Sequence, residues 1–127
     1  RVMPANRDKL RAQPIVKREI QRFHKIARLN NAQSVMVFFP YMHYALEGII
    51  PSTDAWLSKL SLSEQYNYLS FTRLFVENPD VGESFLYQDT IHPNQKGYSL
   101  VVWHLAENLQ KMGLLRPVLS PRKMPSP

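Results

Sequence analysis

An aspartate three residues ahead of a histidine, Asp89-Thr90-Ile91-His92, is the pair in this chain best suited to proton transfer. A carboxylate that accepts a hydrogen bond from one imidazole nitrogen fixes the tautomer. The other nitrogen can then take a proton from a hydroxyl, and the imidazolium that results is stabilised. The next residues, Pro93-Asn94-Gln95-Lys96-Gly97-Tyr98, would stiffen such a pair. Pro93 removes a backbone donor, Asn94 stands where it can cap a helix, and Gly97 permits close packing in that helix's first turn. Asp89 and His92 are therefore expected to meet across a tight loop.

The remaining histidines, His24, His43 and His104, could supply nitrogen ligands to a metal together with Asp89, but their spacing argues against it. His24 and His104 fall inside separate amphipathic segments with no second ligand four residues away, and His43 sits among aromatics in a loop. Each is expected to be a boundary or loop residue, and no metal or organic cofactor is implied. Trp56 and Trp103 are placed in core or boundary packing. With no cysteine in the chain, disulfides, thiolate metal sites and cysteine nucleophiles are excluded.

The longer string Asp-x-x-His-Pro-Asn-x-x-Gly-Tyr, followed by an apolar helix, resembles the final block of the SGNH/GDSL hydrolase superfamily. The motif-level likeness covers about residues 89 to 106. It implies an α/β fold, the C-terminal part of a three-layer α/β/α (flavodoxin-like) domain, and a serine ester hydrolase. His92 would be the general base and Asp89 the acid that orients it. The substrate would be a small-molecule, lipid or carbohydrate ester. Members of that family take their nucleophile from a Gly-Asp-Ser motif after the first strand, and oxyanion donors from that serine's amide, a glycine and a Gly-x-Asn-Asp asparagine. Neither motif occurs here. The nearest string is Gly82-Glu83-Ser84, in which Ser84 reads as an ordinary loop serine. The expectation is that the chain begins partway through the domain, needs the missing N-terminal part of that domain as its partner, and is inactive alone.

The elements that must position His92 can be read around it. Residues 1 to 13 read as an irregular basic lead-in. Pro14 then opens an amphipathic helix whose apolar positions are Val16, Ile20, Phe23, Ile26 and Ala27, ending at Asn30 and Asn31. Residues 34 to 39, SVMVFF, are apolar on both faces and predict a buried parallel strand stopped by Pro40. Residues 41 to 53 read as a long loop. Short helices follow over 54 to 60 and from Leu62, the second capped by Ser61 and Glu64, and Phe71 to Val76 is assigned to a strand. Tyr98, Val101, Leu105, Leu109 and Met112 lie on one face of a last helix that Gly113 terminates. The hydrolase-like unit thus spans residues 14 to 115, and the proline-rich residues 116 to 127 read as a flexible tail.

At 127 residues and 44% hydrophobic content, the chain suits one domain with an ordinary core. The net charge of +6 is concentrated in residues 1 to 30, where nine Lys and Arg face two acids. That is the pattern of a solvated helix face, and no aromatic ladder accompanies it, so nucleic acid is not expected as a partner. No apolar run is long enough to cross a bilayer, and composition leaves the compartment open. The rival to the enzyme is a non-catalytic module: an SGNH-like relative with a decayed site, or a basic interaction domain using residues 7 to 28.

Overall fold

The computed structural model describes residues 7–77, 80–86 and 89–115, so the tail assigned to 116–127 and the first six residues of the lead-in lie outside the described residues. The architecture is mixed α/β. In chain order it runs α1 (Arg7–Leu29), β1 (Val35–Phe38), α2 (Met42–Leu46), α3 (Ser52–Glu64), β2 (Asn67–Ser70), α4 (Thr72–Val76), a 3-10 turn (Val81–Ser84), β3 (Phe85–Leu86), β4 (Asp89–Pro93) and α5 (Gln95–Lys111).

β1 and β2 pair in parallel, with Val35 opposite Asn67 and Phe38 opposite Ser70. The connection between them carries α2 and α3, as a parallel pair requires. The SVMVFF strand is thus present but not buried as expected, since Val37 is exposed and Val35, Met36 and Phe38 are only partly covered; its ladder closes where the Phe71 amide donates to the Phe38 carbonyl at 2.9 Å. Beyond that bond the chain turns into α4. Phe71 and Phe75, four residues apart, are both fully buried against Ala45, Leu69 and Val101. Burying each ring contributes roughly 2–3 kcal/mol, which outweighs the strand preference of FTRLFV. The strand expected at 71 to 76 is therefore a helix, and the second strand lies just before it, in NYLS.

Three more expectations are corrected. α1 starts at Arg7, so Pro14 is inside the helix and not at its first position. Arg, Lys, Leu, Ala and Gln before it are good helix formers, and Asp8 in the first turn complements the helix dipole, which together tolerate the bond Pro14 cannot make. Residues 41 to 53 are not all loop, because Met42 and Ala45 anchor α2 on the core. α3 is one continuous helix. Ser61 lies inside it with its hydroxyl bonded to the Ser58 carbonyl at 2.8 Å, and it ends at Gln65 in the left-handed region.

α5 has its expected end, with Gly113 at φ of 71°, and part of its expected face, with Val101 buried and Leu105 on the core, while Tyr98 is exposed. α1 ends at Leu29, and Asn31 two residues beyond it has φ of 52°. Its expected core face is largely uncovered, however, since Val16, Phe23 and Ile26 are exposed.

Candidate active site at the start of α5

His92 belongs to β4, which pairs antiparallel with β3 across a bulge, so the segment expected as a tight loop is a short strand. His92 is exposed and Pro93 beside it is buried. Asn94 follows in extended conformation, and its side chain accepts from the Gly97 amide at 3.0 Å, the expected helix cap. The same residue also faces backwards. Its amide donates to the Ser84 carbonyl at 2.9 Å, and its side-chain Nδ2 donates to the Glu83 carbonyl. One asparagine thus joins the 3-10 turn to the first turn of α5.

Gly97 is required where it stands. A Cβ there would lie 2.1 Å from the Ser84 carbonyl oxygen and 2.8 Å from Pro93 Cβ. Lys96 adds a charged tie, with Nζ 2.8 Å from Glu83 and 3.2 Å from Asp80, which raises the lysine above its ordinary pKa. These bonds fix the backbone immediately after His92. The orienting partner proposed from the sequence, the Asp89 side chain, lies outside the described residues.

Ser84, the one serine in a string resembling the family's nucleophile motif, is fully buried, and its hydroxyl donates to the Asp80 carbonyl at 3.4 Å. Ser84 thus closes a 3-10 turn and is not the loop serine expected, and a serine enclosed in this way has no path to a substrate carbonyl. His43 lies on α2 with its ring against Tyr44 and Tyr41. His104 packs edge-on against Phe71 at 5.6 Å. Trp103 departs from its core or boundary assignment and is 68% exposed beside Tyr98 and Val102. Trp103 sits on the face of α5 opposite the buried Val101.

A second polar cluster escaped the sequence reading. Asp54, in the first turn of α3, is only 4% exposed. Its Oδ2 accepts from Ser70 Oγ at 2.7 Å and from Thr72 Oγ1, and its Oδ1 accepts from the Tyr68 hydroxyl. The carboxylate is therefore held by three hydroxyls and by the helix start, with no cation paired to it among the described residues. Burial, first, and then the Asp54 carboxylate push the Tyr68 phenol far above its ordinary range. These groups border a cavity of about 370 Å³ at the carboxyl end of β2, with Lys59 and Arg73 in its wall. The signal was legible in part: Tyr68 and Ser70 alternate with Leu69, which puts two hydroxyls on one side of an extended chain, and Thr72 follows at the start of α4.

Compared with known proteins, the chain matches no family model, no curated protein and no solved structure. Among the described residues no helix is long and apolar enough to cross a membrane, and no three His, Asp or Glu side chains group to hold a metal ion.

Proposed function

We propose that the chain is the C-terminal part of a serine ester hydrolase of the SGNH/GDSL type, with His92 as general base and Asp89 orienting it. The observation that carries this is the corner after His92: a capped, glycine-dependent helix start holds an exposed imidazole on a fixed backbone. A base needs that fixity, because proton transfer depends on the ring staying within hydrogen-bond reach of its hydroxyl. The nucleophilic serine and the oxyanion donors come from sequence beyond these residues. Support for a larger unit comes from the exposed apolar side chains along α1, including Ile15, Phe23 and Leu29, and from a parallel sheet of two strands with open edges.

The test is ester hydrolysis by the 127-residue chain and by the longer protein that contains it. With p-nitrophenyl acetate the chain alone should not exceed its own urea-denatured control, which corrects for reaction with accessible imidazoles. The longer protein should hydrolyse the ester and lose roughly 10²- to 10⁴-fold in kcat/KM on His92→Ala. An active isolated chain, or a His92→Ala protein with undiminished kcat/KM, overturns the assignment.

A further inference from the structure

At the opposite end of the parallel pair, where β1 and β2 begin, lies a cavity of about 170 Å³ that ester hydrolysis leaves unused. His24 and Arg28, one turn apart on α1, form one wall; Ser34 before β1, Glu64 at the end of α3, and Tyr66 and Asn67 at the start of β2 form the others. His24 is only 5% exposed. Its ring stacks on Tyr66 at 3.8 Å, and its Nδ1 shares a hydrogen bond with Ser34 Oγ. Its Nε2 is buried and has no partner among the described residues. A buried polar atom left unmatched is costly, and few native structures keep one without a use.

The charges around the ring are unevenly matched. Glu64 is already engaged, with Lys17 Nζ at 2.6 Å and Gln21 Nε2 at 3.4 Å, and these contacts hold its carboxyl below the ordinary range. The Arg28 guanidinium makes no hydrogen bond or ion pair with any described residue. Ser34 and Asn67 are neutral, and the Asn67 amide donates to the Ser34 carbonyl at 3.1 Å, which ties the rim together. The cavity wall therefore holds one unpaired guanidinium beside a buried imidazole that can take up a proton.

We propose that this cavity binds a small oxyanion, a phosphate or carboxylate group, between the Arg28 guanidinium and a protonated His24. A guanidinium presents parallel N–H donors that match two oxygens of such a group. The imidazolium supplies the second charge while its stacking on Tyr66 is kept. Burial, first, and then the Arg28 charge hold His24 below its ordinary pKa. The anion reverses the second effect, so proton uptake and anion binding favour each other, and affinity rises as pH falls.

The experiment is an NMR titration of the histidine rings in the 127-residue chain with sodium phosphate and, separately, sodium acetate, at ionic strength held constant with sodium chloride. The His24 ring signals should move saturably while those of His43 and His104 stay, and saturation should raise the His24 midpoint by about one pH unit. Arg28→Gln, an exposed substitution that should not disturb folding, should weaken binding by about tenfold or more, the loss expected for a charge-assisted contact. Acetate affinity of His24→Gln should no longer vary with pH. Saturation by phosphate alone identifies a phosphate site, and saturation by both identifies a general oxyanion site. An unmoved His24 ring with both salts, or full affinity in Arg28→Gln, overturns the proposal.

Discussion

Replacing Gly97 by alanine tests whether the corner after His92 is held as tightly as its contacts imply. The added methyl would sit 2.1 Å from the Ser84 carbonyl oxygen, which is backbone and already accepts from the Asn94 amide at 2.9 Å. Relief requires the 3-10 turn and the helix start to separate, which breaks that bond and loosens the Asn94 cap. Losing a backbone hydrogen bond and a cap costs about 1 kcal/mol each, and overpacking adds roughly 1–3 kcal/mol. Alanine returns about 1 kcal/mol of helix propensity, leaving a net loss of about 2–4 kcal/mol. At this chain length that lowers Tm by roughly 8–16 °C, read by circular dichroism. Gly48→Ala is the control: its φ of 63° makes alanine strained, but no atom lies within 4 Å of the added methyl, so its loss should stay near 1 kcal/mol. If Gly97→Ala is no less stable than wild type, the corner is loose and the geometric basis for a fixed base at His92 is gone.

Asp54→Ala removes the acceptor of three hydroxyls, of which Thr72 is the most deeply buried. Urea denaturation should show a loss of about 3 kcal/mol at unchanged m, with Asp54→Asn intermediate because it keeps one acceptor oxygen; an unchanged midpoint would mean the hydroxyls find other partners. His24 makes the fold sensitive to acid. Its folded pKa lies below the ordinary 6.5, so the unfolded chain binds the proton more readily. The stability this confers is fully present above about pH 6.5 and is lost as pH falls through the folded value. Urea midpoints taken from pH 7.5 downward should fall less in His24→Gln than in wild type, and parallel profiles would remove the ring from the account.

Much of what positions His92 could be read from residues alone. α5 carried a cap, an apolar face and a terminating glycine, three independent signals that agree, and SVMVFF is the strand its residues favour, although its burial is only partial. The failures share a cause. α2 and α4 are single turns of helix made stable by what they bury, Met42 and Ala45 in one and Phe75 in the other, and no local propensity predicts a partner distant in sequence. β2 was missed because NYLS is half polar, and its polar half is matched by a carboxylate fourteen residues earlier. The start of α1 lies ahead of the proline that would mark a first helical residue, because the seven residues before Pro14 favour helix and carry Asp8 in the first turn.

The positions of the polar groups follow from the parallel pair. Ser70 and Thr72 stand at the carboxyl end of β2, where they meet Asp54, and α2, which begins four residues after β1 ends, packs against β4 and the 3-10 turn that hold His92. Chemistry in open α/β sheets gathers at that end because the loops leaving the strands there are not constrained by pairing. His24 and Arg28 lie at the other end, beside residues that enter the strands. Substitutions at the two ends should therefore act separately: Arg28→Gln should change oxyanion affinity while leaving ester hydrolysis by the longer protein intact, and His92→Ala should do the reverse. If either substitution moves both readouts, the ends are coupled through β1 and β2, and oxyanion binding becomes a means of controlling the base.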